Sequence, residues 1–387
     1  MRYVRRLMDG QLQRAAKAFA SVVLTGPRRA GKTMLLRRTF PGASYHLFED
    51  PDVVARFRAD PQGFLDGMKL PAILDEVQYV PEVFRYVRAR IDAQPRRKGQ
   101  WFLTGSQEAG LMRNVTESMA GRAAVLQMWP MSASETAKVD LLHGGYPEVL
   151  ARPRDARLWF SSYLQTYLER DVRTMTAVQD LSTFRRFFAL VASRHGQILN
   201  RSDLAAPLGV SVPTVQRWLD VLEATGQILL LPPFYENFGK RLVKSPKLYV
   251  ADSGLACHLL GIDTKAELAK SPFRGALFEG LVASELVKQQ SNAGSRREVW
   301  WFRDQQGLEV DFVVPTKGGG LRLLEAKAGS SVRPDAAASM LRLRDAIAKS
   351  DRRGSVEMAV VYESVKPGTQ SVSDGVRAVG WREVGSL

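Results

Sequence analysis

Ser21-Val22-Val23-Leu24-Thr25-Gly26-Pro27-Arg28-Arg29-Ala30-Gly31-Lys32-Thr33-Met34-Leu35-Leu36 decides how the chain is read. Its middle, Gly26 to Thr33, fits the pattern G-x-x-x-x-G-K-[ST]. The run 21–25 is short, apolar and β-branched, which predicts a buried strand. From Met34 onward, Leu35, Leu36, Arg37 and Arg38 predict the first turns of a helix. Strand, glycine loop and helix, in that order, are what a phosphate cradle requires. Glycines let backbone N–H groups turn around an anion, and the helix N-terminus adds positive potential. The cradle then runs over Gly26, Pro27, Arg28, Arg29, Ala30, Gly31, Lys32, Thr33 and Met34. Lys32 reaches the outer phosphates, and the Thr33 hydroxyl holds Mg2+.

A phosphate cradle needs an acidic partner to complete the metal shell, and Pro71-Ala72-Ile73-Leu74-Asp75-Glu76 supplies one. The apolar run 72–74 predicts a strand ending in two carboxylates. Asp75 is the candidate to hold Mg2+ through water, and Glu76 to polarise the attacking water. Gln100-Trp101-Phe102-Leu103-Thr104 predicts a third strand, with Thr104 and Ser106 as the polar residues at its tip beside the outermost phosphate.

These stretches resemble the AAA-type ATPases that carry an extra strand with a catalytic glutamate. A narrower resemblance covers nearly the whole chain. Gly26-Pro27-Arg28-Arg29, Leu103-Thr104-Gly105-Ser106, Ala120-Gly121-Arg122, Gly144-Gly145-Tyr146-Pro147 and Tyr167-Leu168-Glu169-Arg170-Asp171-Val172 resemble one prokaryotic family. It joins an AAA-type ATPase to a poorly characterised C-terminal region. The resemblance implies ATP as the nucleotide, ATP hydrolysis, and a homo-oligomer, a hexamer among the options. It also implies an arginine that reaches a neighbour's γ-phosphate. Arg122 is the candidate; as a surface arginine it would instead pair with a carboxylate. Arg170 and Arg173 are candidates for a same-chain nucleotide sensor.

At 387 residues the chain exceeds one compact core. The predicted fold class is α/β and multidomain. A P-loop AAA-type ATPase core spans 1–137, a helical lid 138–195, a winged helix-turn-helix 196–252, and a C-terminal α/β restriction-endonuclease-like domain 253–387. One cysteine, Cys257, excludes an internal disulfide. No signal peptide and no transmembrane run are apparent, so a cytoplasmic protein without a membrane partner is expected. The net charge of +15 suits a polyanionic partner, or reflects a solvated basic surface.

The lid rests on apolar residues at helical spacing: Leu158, Trp159, Tyr163, Leu164, Tyr167 and Leu168, then Phe184, Phe187, Phe188 and Val191. A short helix from Ser202 is expected to end near Gly209. Ser211 then caps a second helix, with Pro213 in its first turn. Val215, Trp218, Leu219 and Leu222 make that helix's buried face. Thr214, Gln216 and Arg217 point elsewhere, toward a major groove. Strands at 227–231 and 247–250 flank a wing with Lys240, Arg241 and Lys244. The pattern is a winged helix-turn-helix, which serves duplex or branched DNA or else protein contacts.

From Phe273 the order reads helix, strand, strand, helix, strand, with strands at 299–302, 307–314 and 321–327. Alternation puts Glu309 and Asp311 on one face, with Val310 and Phe312 on the other. Glu325 and Lys327 share a face. An acid on a helix, an acid on a strand and E-x-K on the next strand resemble the restriction-endonuclease-like fold. The resemblance implies that Asp311 and Glu325 bind a divalent metal, that Glu279 completes the site and that Lys327 orients the attacking water. Val310 departs from that pattern by standing where proline precedes the aspartate. Cleavage of DNA and a retained fold with a dead site both remain open. One cysteine and four scattered histidines exclude a common zinc site.

The expected function is thus a DNA-binding ATPase that uses ATP and Mg2+ to move on or remodel DNA, with metal-dependent cleavage as a further expectation. The alternative is an ATP-dependent switch acting on protein partners, of the defence or toxin–antitoxin kind, with an inactive nuclease-like domain.

Overall fold

The computed structural model describes residues 3–105, 118–168, 181–234, 244–349, 354–364 and 369–387. The chain forms two compact units. The first holds 1–131 with the short segments 224–226 and 291–295; the second holds the remainder.

The first unit is a parallel sheet between two helical layers. Its elements are α1 (Asp9–Ala18), β1 (Ser21–Thr25), α2 (Lys32–Thr39), β2 (Ser44–Leu47), α3 (Pro51–Ala59), α4 (Pro61–Asp66), β3 (Ala72–Asp75), α5 (Val83–Ala93), β4 (Trp101–Thr104) and β5 (Ala123–Gln127). The strand order is β2-β3-β4-β1-β5, with every pair parallel. Strand alternation builds both faces. Val22, Leu24, Ile73 and Phe102 pack with Leu12 of α1 and Leu35 and Leu36 of α2. Val23, Leu74 and Leu103 pack with Phe57, Leu65 and Phe84 of α3, α4 and α5. A strand buried on both faces reads as a continuous apolar run, which is why 21–25 carries no polar alternation. Strand β4 lies between β1 and β3, so the loop after β1 and the acids at the end of β3 flank the tip of β4.

The second unit opens with α6 (Pro147–Ala151), α7 (Ala156–Tyr163) and α8 (Leu181–Ser193). The expected stripe on α7 needs correcting. Leu158 is 71% exposed, and Phe160 and Tyr163 make the buried face, because their three-residue spacing sets both rings against Tyr146. A π-helical turn, Leu164–Leu168, then ends the α-helical register. Next come β6 (Gln197–Ile198), α9 (Arg201–Ala205), α10 (Val212–Ala224), β7 (Ile228–Leu231) and β8 (Lys247–Val250). β8 is the centre of a three-stranded antiparallel sheet, β6-β8-β7. Gly209, at φ 64°, closes the turn before α10, and the Thr214 N–H donates to Ser211 Oγ as expected of a cap.

After α11 (Ser253–Leu259) and α12 (Lys265–Lys270), the long α13 (Arg274–Ala293) precedes β9 (Trp300–Arg303), β10 (Glu309–Pro315) and β11 (Leu321–Lys327). Then follow α14 (Ala338–Ala348), β12 (Val356–Tyr362), β13 (Thr369–Ser373) and β14 (Val376–Gly380). Three strands precede α14 and three follow it, where the sequence suggests fewer. They form one mixed sheet, β13-β14-β12-β11-β10-β9, with Met340, Leu343 and Ile347 of α14 on the face that carries Val310, Val313, Leu323 and Val360. The expected alternation on β10 fails after Val310. The register against β9 shifts between Val310 and Val313, so these two, three residues apart, share one core.

A boundary between compact units falls at 131/132, near the expected 137/138, and one unit runs across the expected cuts at 195/196 and 252/253. Asp252 lies beside the last of these. Its buried carboxylate accepts from Gly145 N at 2.8 Å and from Leu255 N at 3.1 Å, which fixes the lid segment to the start of α11. Among the described residues no helix is long and apolar enough to cross a membrane.

Candidate functional site

The loop after β1 turns on residues with positive φ: Gly26 at 132°, Arg29 at 63° and Gly31 at 98°. A Cβ on Gly26 would sit 2.0 Å from the Met128 carbonyl oxygen, so backbone packing as well as φ demands glycine there. Gly31 ends the loop and Lys32 opens α2. Lys32 Nζ donates to the carbonyls of Gly26 and Pro27, each at 2.9 Å, so the side chain folds across the loop that it closes. Pro27, Arg28 and Ala30 are buried, Arg29 is exposed, and Met34 points to solvent at 55% exposure.

Thr33, in the first turn of α2, donates from Oγ1 to Asp75 Oδ2 at 2.7 Å. The Tyr45 hydroxyl donates to the same oxygen at 2.8 Å, and Thr104 Oγ1 donates to Oδ1. Four elements (α2, β2, β3 and β4) therefore converge on one carboxylate. The donors are all oxygen, the kind Mg2+ prefers, with open positions left for phosphate and water. Burial, and then the Asp75 carboxylate, raise the Tyr45 phenol above its ordinary value, so it stays a donor at neutral pH.

Glu76 follows in the left-handed region, φ 57°, uncommon for a side chain with Cβ. The Gln78 side-chain amide donates to its Oε2, and Arg28 Nη1 lies 3.8 Å from that oxygen. The Glu76 N–H points to Thr104 Oγ1 at 3.5 Å. Thr104 is thus engaged by Asp75 and Glu76; Ser106, the other tip residue, lies outside the described residues.

Tyr45 and Arg6 went unseen in sequence. Arg6, buried ahead of α1, donates to the carbonyls of Ala30 at 2.8 Å and Trp129 at 2.7 Å, bracing the loop. Neither has a motif. Only the strand order brings β2 beside β3, and one basic residue in a basic N-terminus carries no signal.

Arg122 does pair with a carboxylate of its own chain. Its Nε lies 2.5 Å from Asp92 Oδ1 and its Nη2 3.1 Å from Oδ2, a two-pronged contact. The hydrogen bond from Arg122 holds the Asp92 carboxyl below its ordinary range. Arg170 and Arg173 lie outside the described residues.

In the second unit, Thr214, Gln216 and Arg217 lie off the buried face of α10, which Val215, Trp218, Leu219 and Leu222 form. Gln216 donates to Asp220 at 2.6 Å and Arg217 to Thr214 at 3.2 Å. Lys244 is exposed; Lys240 and Arg241 lie outside the described residues.

The C-terminal acids are brought together. Asp311 Oδ2 accepts from Ala326 N at 2.9 Å, which sets β10 beside the E-x-K stretch. Lys327 Nζ donates to Glu325 Oε1 at 2.8 Å. Burial, and then the Asp311 charge, push both the Glu279 and the Glu325 carboxyls up to about 7. A further cation among these acids is Lys247, absent from the sequence-based set. Its Nζ lies 2.9 Å from Glu279 Oε1, 2.6 Å from Glu309 Oε1 and 3.6 Å from Asp311 Oδ1. Tyr249, next but one on β8, donates to Glu279 Oε1 at 2.5 Å. Alternation on β8 was the available signal for this pair. Among the described residues no group of three or more His, Cys, Asp or Glu is arranged to hold a metal ion.

Comparison with known proteins adds the family. Residues 18–137 match a model described as AAA domain. Residues 135–266 match a domain of unknown function (DUF8612), and 274–382 match another (DUF4143). Uncharacterized protein Rv2008c of Mycobacterium tuberculosis is 33% identical over 321 residues, covering 81% of this chain and 72% of the relative. Uncharacterized protein Mb2031c of Mycobacterium bovis matches with the same figures. Among solved structures, the Walker-type ATPase PABY2304 of Pyrococcus abyssi is similar at a TM-score of 0.44 and 14% identity, covering 65% of this chain and 94% of that one. AMPPCP-bound DnaA from Aquifex aeolicus is similar at 0.29 and 12%, covering 56% and 86%. Neither likeness bears on what this chain binds. With a phosphate loop closed by Lys32, a carboxylate at the tip of the neighbouring strand and these matches, the chain belongs to the family of the two mycobacterial proteins, a P-loop ATPase family built on an AAA domain.

Proposed function

We propose that this ATPase binds ATP together with Mg2+ through Lys32, Thr33 and Asp75, hydrolyses it with Glu76, and uses the cycle to move on or remodel DNA. The observation that carries the nucleotide half is the 2.7 Å bond from Thr33 Oγ1 to Asp75 Oδ2. It brings a hydroxyl and a carboxylate to the mouth of the loop 26–33, whose sequence pattern is that of a phosphate cradle. Lys32 exchanges its two carbonyl partners for phosphate oxygens. Mg2+, when bound, neutralises charge growing on those oxygens. Glu76 leaves Gln78 and Arg28 to polarise the attacking water, and Thr104 keeps Asp75 oriented. Arg122 exchanges Asp92 for a neighbouring subunit's nucleotide in a homo-oligomer, with a hexameric ring as the simplest closed form.

The DNA half rests on the element order of 196–252. Two helices joined by a Gly209 turn precede two strands of a small sheet, the order of a winged helix-turn-helix. Thr214, Gln216 and Arg217 of α10 face the groove, and the basic residues that follow β7 in sequence, Lys240, Arg241 and Lys244, hold phosphates. The +15 net charge supports a polyanionic partner. DNA cleavage is no part of the reading, because an ammonium group stands among the acids it would need.

Turnover measured with duplex, branched and single-stranded DNA tests the proposal. Stimulation by one of these, lost in Arg217→Ala with Lys244→Ala, is the expected result. Hydrolysis indifferent to every DNA would remove the DNA half, and absence of hydrolysis would remove the first.

A further inference from the structure

The acids of the C-terminal unit already hold a cation. Lys247 is 3% exposed and lies within 3.6 Å of Glu279, Glu309 and Asp311, with the Trp301 ring centroid 5.4 Å away. Its strand is the centre of β6-β8-β7, in register with both neighbours, Lys247 opposite Ile198 on one side and Leu231 on the other. The ammonium is therefore fixed by a paired backbone as well as by its own contacts. Three of the carboxylates are engaged in turn, while Glu325 takes Lys327 on Oε1 and keeps a buried Oε2 without a hydrogen-bond partner. Glu279 Oε1 takes donors from Lys247 and Tyr249, Asp311 Oδ2 takes the Ala326 N–H, and Arg303 Nη1 lies 3.4 Å from Glu309 Oε2. A small divalent cation needs its oxygens at about 2.1 Å, a spacing that cannot form around a lysine head-group.

The charges close without a metal. Glu279, Glu309, Asp311 and Glu325 face Lys247, Lys327 and Arg303. The acid excess is one charge, and the raised Glu279 and Glu325 carboxyls absorb it as a proton near neutral pH. Burial opposes a charged Lys247, but the three carboxylates outweigh it and hold the ammonium above its ordinary value.

We propose that the Lys247 ammonium is the permanent cation of this cluster, standing where a divalent metal would stand, so that the acids form a metal-free clasp between β8 and the six-stranded sheet. Mn2+ alone, titrated by calorimetry into the full nucleotide-free chain, is the probe, with Asp75→Asn present throughout to silence the nucleotide site. No Mn2+ binding sensitive to Asp311→Asn is expected in that background. Lys247→Met is expected to lower Tm by about 10 °C and to gain one Mn2+ site that Asp311→Asn removes. Lys247→Arg keeps the charge and the Tm. Should Lys247→Met fail to fold while Lys247→Arg folds normally, the need for a resident cation is upheld. The proposal falls if the chain with Lys247 intact binds Mn2+ and loses it on Asp311→Asn. It falls equally if Lys247→Met melts unchanged and binds none.

Discussion

Thr33 donates its hydroxyl to Asp75 across 2.7 Å, joining the first turn of α2 to the tip of β3. The two residues stand 42 apart in the chain, and the parallel sheet makes them neighbours. Lys32 lies one residue before Thr33 with its ammonium on the loop carbonyls. Lys32→Ala is expected to cut ATP turnover by at least about 100-fold. Asp75→Asn is expected to match it, while its amide oxygen still accepts from Thr33 and Tyr45 and preserves the fold. Steady-state turnover with circular dichroism as the folding control decides; activity within about threefold of the parent chain would contradict these roles.

Tyr45 gives a finer test. Its hydroxyl is one of three donors on Asp75, and Tyr45→Phe removes that donor without changing shape. One lost hydrogen bond costs about 1 kcal/mol of stability. The functional expectation is larger: orienting partners of a metal-binding carboxylate carry about tenfold in metal affinity. The Mg2+ concentration for half-maximal turnover is therefore expected to rise about tenfold in Tyr45→Phe. An unchanged Mg2+ dependence would reduce Tyr45 to a packing residue.

What the sequence made legible follows what is local. The Gly26–Thr33 loop, the 72–75 strand and the Ser211 cap need only near neighbours in the chain, and each lies where the residues indicated. Residues brought in by topology carried no motif, and for Lys247 only the alternation on β8 marked a shared face with Tyr249. Tyr45 reaches Asp75 because β2 pairs with β3, and Lys247 reaches Glu279 because β8 lies against α13. The β10 alternation failed for a related reason, since a bulge is set by the partner strand's register. Leu158 shows the limit of helical spacing, which marks a stripe but not which edge of it the neighbours cover.

Gly144 tests the tie between its own turn and the start of α11. Its φ is 67°, and a Cβ there would lie 2.0 Å from Asp252 Oδ1. Asp252 is buried, and burial raises its carboxyl above the usual range even as backbone donors favour the charge. Gly144→Ala therefore strains the backbone and displaces a buried acid from Gly145 and Leu255. A loss of about 3 kcal/mol or more is expected. Gly261→Ala is the control, at φ 71° with nothing within 4 Å of its Cβ, and is expected to cost only about 1 kcal/mol of strain. Denaturant midpoints separate the two, and equal losses would mean that φ alone matters at Gly144.

His195 sets the acid side of the stability curve. It is fully buried, and burial pushes its imidazole down to about 3 from the ordinary value of 6.5. Its Nδ1 accepts from Val250 N at 3.0 Å, so the other nitrogen, Nε2, carries the proton, directed at Gly280. A Cβ on Gly280 would lie 1.9 Å from Nε2, so there is no room for a partner to a charged ring. The unfolded chain binds a proton below 6.5 that the folded chain refuses. The stability from neutral His195 is thus complete above 6.5 and drains away as pH falls toward 3, by about 1.4 kcal/mol per pH unit. His195→Asn offers Oδ1 to the Val250 N–H in place of Nδ1 and has no proton to gain. Urea midpoints compared between pH of about 7.5 and about 5 should fall more steeply in the parent chain than in His195→Asn, by one proton's slope. Parallel slopes would mean that His195 already protonates in the folded state, and that its place against Gly280 and Val250 is looser than these distances describe.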